Sequence, residues 1–403
     1  MVSVDEARRR LGTVRPHLEP EAVAVAAALG RTLAEPVYAP VDLPPFTRAA
    51  MDGFALRAAD TARAPVVLPV RGETPAGSPP GRLEPGTVHR IWTGAPLPAG
   101  ADAVLEQEAA GVEGDAVRIL RPVPAGRNVM PRGHEVAAGR PVFGVGERLS
   151  STHLALLASL GVTTVTVRRP LRAAVLQTGA ELVEAGNPLA PGRIYATHGV
   201  WLSALVREWG GEPVAVETVG DDADLIARRL EALAAGADLV LVTGGTSVGR
   251  YDHVPGVLER LTDRLFWWVR MHPGRAVAAG RRGETLVLAL SGNPGAAMTT
   301  WLVLAAPWWA TVHGGRLVER TERLPLRDAY PKPSREPRYL RVRRTAAGLD
   351  WDLPQGADVL TAYLDADGFA VLPEGPPVPA GTVVDYWEPV GMGGRWPRWS
   401  GAR

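Results

Sequence analysis

The sequence predicts a multidomain α/β protein. It should hold a doubly wound, largely parallel α/β unit, a β-rich unit, a helical and extended linking segment, and a small C-terminal β-barrel. Three observations predict it. From Leu171 onward, short apolar runs alternate with helix-period stretches, the pattern of strands feeding crossover helices. From Val41 to Arg121 short apolar runs are broken by Pro and Gly, the texture of strands and turns. From Tyr339 to Glu388 short alternating runs return with no helix between them. The expected partition is residues 1–40 with 125–170, then 41–124, 171–314 and 315–403. A chain of 403 residues has the length for two to four such units.

The elements follow in order. Ser3 with Glu6 reads as a capping box opening a helix to about Leu11, and a second helix is expected from Glu21 to Leu29, stopped by Gly30. Val66–Val70 and Val88–Trp92 read as strands. Ser151 is expected to cap a helix with Leu154, Leu157 and Ala158 on its inner face, closed by Gly161. The strand Ala173–Leu176 then enters the turn Gln177–Glu181. A helix over Val200–Trp209, an extended Val214–Val216 and a helix over Asp222–Ala235, with Leu225, Ile226, Leu230 and Leu233 inward, come next. The strand from Leu239, a helix ending near Leu261, and strands at Phe266–Val269 and Leu286–Leu290 complete the unit, with a last helix beginning at Pro294. The charged, Pro-containing stretch from Gly314 to Pro337 reads as a linker.

Composition narrows the function. The chain is 46% hydrophobic and 22% charged with a net charge of +1, which gives no reason to expect a nucleic-acid or membrane surface. No cysteine is present, so disulfides, thiolate metal sites and Cys nucleophiles are excluded. The polar Met1–Glu6 lacks a signal-peptide core, and the longest apolar run, Trp301–Trp309, is short and contains Pro307, so a cytoplasmic location is expected. Lys332 is the only lysine, so nearly all basic charge is arginine.

The chemistry concentrates in loops that follow strands. The apolar run Leu239–Thr243 enters Gly244-Gly245-Thr246-Ser247-Val248-Gly249-Arg250-Tyr251-Asp252, a glycine- and hydroxyl-rich loop before a helix start. Glycines let the backbone approach a ligand, and N–H groups at a helix start favour an anion. The spacing matches neither the dinucleotide fingerprint nor the P-loop. Thr178-Gly179 and Ser291-Gly292-Asn293-Pro294 follow two other strands, and strand ends of such a sheet share one crevice. Glu181, Asp221, Asp222 and Asp252 lie beside these turns. As a set they suit a divalent cation that offsets phosphate charge, although taken singly each reads first as structural, Asp222 as a helix cap and Glu181 as a solvated turn residue. His272-Pro273-Gly274-Arg275 could add positive charge for an oxyanion.

A second cluster lies in the β-rich unit: Asp42-Leu43-Pro44-Pro45-Phe46-Thr47-Arg48-Ala49-Ala50-Met51-Asp52-Gly53-Phe54-Ala55, and Thr93-Gly94-Ala95-Pro96-Leu97-Pro98-Ala99-Gly100-Ala101-Asp102. It closely resembles the D-x-P-x-F-x-x-S-A-M-D-G-[YF]-A and T-G-A-x-x-P-x-G-A-D-A-V signatures of the MoeA/gephyrin family, the molybdopterin molybdenumtransferases. The likeness continues through Gly126-Arg127-Asn128-Val129, Thr178–Val183, Gly244–Asp252 and Gly292-Asn293-Pro294, in the family order.

The resemblance implies an elongated homodimer with a MogA-like α/β domain. In it residues 1–40 and 125–170 serve linking and dimerisation, and the partner's Asp-Gly segment completes each active site. It also implies insertion of molybdate into adenylated molybdopterin with release of AMP, aided by Mg²⁺ or another divalent cation. The partners it implies are the molybdopterin adenylyltransferase and apo-molybdoenzymes. Asp52, Glu181, Asp221 and Asp252 would be catalytic, with Glu181, Asp221, Asp222 and Asp252 toward metal. Thr93, Gly94, Glu135, Thr178, Gly179, Gly244, Gly245, Thr246, Ser247, Gly249, His272, Pro273, Gly274, Arg275, Ser291, Gly292, Asn293 and Pro294 would bind substrate. The chain departs from the pattern at Ala49, His134-Glu135, Ala180, Ala196, His198, His272, Arg275, Ser291 and Ala357, mostly at polar family positions. A non-catalytic molybdopterin-binding paralogue, acting as carrier, scaffold or regulator, is the alternative.

Overall fold

The computed structural model describes residues 1–246, 252–314 and 318–390. Its centre is a six-stranded sheet in the order Glu212–Val219, Arg172–Thr178, Leu239–Thr243, Thr285–Leu290, Ala278–Arg282, Asp263–Trp267. The first four strands are parallel and the last two antiparallel. Leu239–Thr243 and Thr285–Leu290 are buried along their whole length because both faces of the sheet are covered. Ala173, Val175, Leu239 and Leu241 face His198–Glu208 and the Trp301–Val312 helix, and Ala174, Leu176, Val240 and Val242 face Ala223–Ala234 and Val254–Leu261. The strand Ala278–Arg282 escaped the sequence pattern: its Ala and Gly carry little hydrophobic signal. The strand expected at Phe266–Val269 ends at Trp267, because Trp268 turns into the left-handed region at φ +63°.

The first helix, Val4–Leu11, is capped by Ser3, whose hydroxyl accepts the Glu6 N–H, while the Glu6 carboxylate of the expected capping box pairs with Arg9 and Arg10 instead. Ala7 and Leu11 are buried in the core of the α/β unit, and the Trp308 indole donates to Val14 O at 2.9 Å.

The helix expected over Glu21–Leu29 is instead a strand, Pro20–Ala24, followed by a single tight turn over Val25–Ala27. It pairs antiparallel with Thr164–Arg168, and Val23 and Val25 pack with Leu33, Val165 and Val167. Alternation in Glu21-Ala22-Val23-Ala24-Val25 suits either period, and the waiting partner strand decided it. The helix at Ser151–Ser159 starts one residue earlier than expected, with Ser150 as its cap joined to His153. It buries Leu157 and, just beyond its end, Leu160, while Ala158 is exposed.

The β-rich unit is a six-stranded sheet in the order Ala103–Glu106, Gly53–Leu56, Val88–Ile91, Val66–Thr74, Ala116–Ile119, Gly111–Glu113, around Phe54, Leu68, Val88 and Ile119. The expected linker after Gly314 contains an eight-residue strand, Val318–Pro325, which pairs with Val383–Val390. Two adjacent charged pairs, Glu319-Arg320 and Glu322-Arg323, hid it. The C-terminal sheet runs Val318–Pro325, Val383–Val390, Gly368–Leu372, Arg338–Thr345, Gly348–Asp350, and its two edges rejoin at a Leu326–Leu349 bridge, which curls it into a small barrel. Among the described residues no helix is long and apolar enough to cross a membrane.

Candidate active site

Three strand-to-helix loops meet at the carboxyl edge of the central sheet, and they meet at atomic contact. Gly244 has φ +88°, and a Cβ there would sit 2.3 Å from Thr178 O. A Cβ on Gly292 would lie 3.4 Å from Gly244 Cα. Only glycine lets the second loop lie flat between the other two. Thr178 is buried and donates its hydroxyl to Thr243 O at 3.3 Å, while Gly179 N–H bonds Val219 O and ties the first loop to the edge strand. Gly245 O accepts the Val254 N–H, joining the loop to the following helix. Ser247 and Gly249 lie outside the described residues.

A fourth segment joins them. The Thr246 hydroxyl donates to Ala276 O at 3.3 Å, just after His272-Pro273-Gly274-Arg275. Gly274 packs so closely on the helix Pro294–Thr300 that a Cβ would meet the Thr300 hydroxyl at 2.4 Å. Ser291 accepts the Asn293 N–H, Asn293 is the helix cap and Pro294 its first residue.

The carboxylates are distributed around this edge. Asp221 accepts the Ala180 N–H at 3.0 Å, and the Glu181 carboxylate folds back over Gly179. Asp222 caps Ala223–Ala234 by accepting the Leu225 N–H at 2.8 Å. Asp252 precedes the helix Val254–Leu261. Among the described residues no three His, Asp or Glu side chains stand together as a metal cage.

Charge is unusual at His272. Its imidazole is pushed down to about 4, by burial first and then by the Arg338 and Arg341 cations, so it is neutral at pH 7. Arg275 lies 3.1 Å from the buried Glu336 and 5.2 Å from the centre of the Trp268 ring.

The barrel supplies residues that the sequence did not announce. His272 N–H bonds Pro337 O, and Tyr339 N–H bonds His272 O. The Ala296 N–H bonds Ala357 O, and the Tyr363 hydroxyl donates to Gly295 O at 2.6 Å. Arg341, 1% exposed, donates to Gly356 O at 3.1 Å, approaches the Tyr363 hydroxyl at 3.4 Å and places its cation near His272. Nothing in Arg338-Tyr339-Leu340-Arg341-Val342-Arg343-Arg344 marks one arginine as buried; strand alternation would have narrowed the choice to alternate positions.

The second cluster is built separately. Asp52 accepts both the N–H and the hydroxyl of Thr93 at 2.7 Å, which holds its carboxyl below the usual range. Gly94 N–H bonds Ala49 O, and exposed Glu135 donates its N–H to Leu43 O. These bonds run within the β-rich unit and its flanking strands. Among the described residues, the α/β loops do not enter them.

Comparison with known proteins accounts for both clusters. A family model described as the MoeA N-terminal region (domain I and II) matches residues 2–161, and one described as a probable molybdopterin binding domain matches residues 174–311. A Mycobacterium tuberculosis (strain ATCC 25618 / H37Rv) protein named molybdopterin molybdenumtransferase 2 is 37% identical over 318 residues, 76% of this chain and 78% of its own. The chain belongs to the MoeA family of molybdopterin molybdenumtransferases. A Bacillus subtilis (strain 168) member is 32% identical over 398 residues, covering 93% of this chain and 90% of its own. The crystal structure of a MoeA protein from Pyrococcus horikoshii OT3 superposes with a TM-score of 0.82 at 28% identity, over 96% of this chain and all of that one. The MoeA-type fold expected from the motifs is therefore the observed one.

Proposed function

We propose that this chain inserts molybdate into adenylated molybdopterin, releasing AMP and the finished molybdenum cofactor. The observation that carries the reading is the contact of Thr178, Gly244 and Gly292, with the His272–Arg275 turn locked beside them. Loops meeting at the carboxyl edge of a doubly wound sheet make a cradle for phosphates. Here the pyrophosphate of the adenylate would rest against the Thr178-Gly179 and Gly244–Thr246 backbone. Molybdate, a dianion, would lie toward His272, Arg275 and Asn293. With His272 neutral and Arg275 drawn to Glu336, Arg338 and the buried Arg341 are the described cations that face that end.

Mg²⁺ or another divalent cation, held by one or two of Glu181, Asp221 and Asp252, would supply charge compensation at the phosphates. The protein's own part is to position two anions and exclude water between them. Asp52 and Thr93 sit in a separate unit with their mutual bonds satisfied. They would therefore act on the site of a second copy in a homodimer.

The test is turnover. Purified chain with adenylated molybdopterin, molybdate and Mg²⁺ should release AMP in a molybdate-dependent way, and Asp252→Ala should lose that release. Tight adenylate binding without AMP release from the unmodified chain would overturn the catalytic reading in favour of a carrier.

A further inference from the structure

Tyr363 lies on the short helix Ala362–Asp365 after the barrel's Arg338–Thr345 strand, and its ring packs into the core of the α/β unit. Its phenol donates to Gly295 O at 2.6 Å. The same oxygen stands 2.6 Å from the Thr299 hydroxyl and 3.4 Å from an Nη of Arg341. A phenol carries one proton. With that proton on Gly295 O, Arg341 and Thr299 meet the phenol only as donors. Burial pushes the phenol above its ordinary value, so it keeps the proton it donates.

Arg341 is an unusual buried cation. It is 1% exposed, and among the described residues no carboxylate pairs with it; neutral groups hold it instead. The Gln355 amide accepts its backbone N–H at 3.1 Å and donates to its carbonyl at 2.8 Å. Gly356 O accepts from one Nη at 3.1 Å, and the Tyr363 ring lies 5.2 Å from the cation. Its Nε–H is enclosed without a partner. Burying a cation without a counter-ion is costly, and an anion brought beside it is bound correspondingly well.

Gln355 and Gly356 hold Arg341 from its own side. Tyr363 touches the cation and the α/β unit together. The helix it grips, Pro294–Thr300, starts directly after Ser291-Gly292-Asn293. Its oxygen therefore sets how far the cation stands from that turn.

We propose that Tyr363 is a positioning residue for the reaction, holding the Arg341 cation at a fixed distance from the Ser291–Pro294 turn so that the gap between them fits a small dianion. This rests on the reading that molybdate lies at that end of the site.

Tyr363→Phe keeps the ring beside Arg341 and removes the oxygen. Equilibrium dialysis should show molybdate bound at least about tenfold more weakly, the scale of one hydrogen bond to a charged group. Adenylated molybdopterin should bind within about twofold of the original. In turnover the loss should fall on KM for molybdate more than on kcat. Made in an Arg341→Gln chain, the same change should weaken molybdate binding by less than about twofold further, because the hydroxyl acts through the cation. Unchanged molybdate affinity in Tyr363→Phe would overturn the proposal. So would equal weakening of both ligands, the mark of a general loosening, or an undiminished further loss in the Arg341→Gln chain. If the original chain binds molybdate but releases no AMP, the catalytic reading alone falls and dialysis still decides the role of Tyr363. If it binds no molybdate, both fall.

Discussion

At the scale of single residues the site is decided by what cannot fit and by what cannot ionise. Gly244 lies against Thr178 O, so a methyl group there forces the two loops apart and a left-handed backbone onto alanine. Gly244→Ala should cost about 1–3 kcal/mol in a urea melt and abolish AMP release; unchanged stability would contradict the close approach. His198 and His272 are both held near 4, chiefly by burial, with the Arg338 and Arg341 cations also facing His272. Their folded values lie below the ordinary 6.5, so the unfolded chain takes up protons first as pH falls. Stability contributed by the neutral rings is present above about 6.5 and is lost progressively down to about 4. Melting temperatures across that window should fall less steeply in a His198→Asn, His272→Asn double variant, and parallel curves would show that the rings are not the cause. The sequence offered His272 as positive charge for an oxyanion; burial makes it neutral instead. The buried Arg341 was not legible, because its partners Gln355, Gly356 and Tyr363 follow it by 14 to 22 positions and only the fold brings them and His272 to it.

At the scale of elements, caps and partners settled what periodicity left open. Ser3 and Asp222 stood out in the sequence as helix starts, and both accept the N–H three residues on. For Asp222 this use competes with a metal role. Asn caps as well as Asp, so Asp222→Asn should leave both stability and AMP release near the original, whereas Asp222→Ala should lose about 1 kcal/mol. A loss of turnover in Asp222→Asn at full stability would return the carboxylate to the metal. The stretch after Glu21 shows the opposite limit: five residues that suit helix or strand became a strand because Thr164–Arg168 offered a ladder. Val318–Pro325 was hidden for a related reason, since a barrel strand rich in charge is recognised only by its partner.

At the scale of the whole molecule, two motif clusters sit on separate units that share no core, and the barrel closes one of them from above. If each site draws Asp52 and Thr93 from a second copy, two inactive variants should complement. Asp52→Ala mixed and re-equilibrated with Asp252→Ala should recover about a quarter of normal turnover, since half the dimers are mixed and each has one intact site. Zero recovery despite subunit exchange would mean that each chain builds its site alone.

The sequence by itself determined the family, the parallel sheet and the identity of the loops. Those features are local: a run of five buried residues, a glycine where the backbone must turn, a proline at a helix start, each legible within a dozen positions. Tertiary structure alone decided which loops touch, that His272 is neutral, that Arg341 rather than a neighbouring arginine is the buried cation, and that the Gly314–Pro337 stretch is part of a barrel. Those depend on burial and on contacts between residues tens to hundreds of positions apart, and desolvation and strand pairing leave no mark on the residues that will meet.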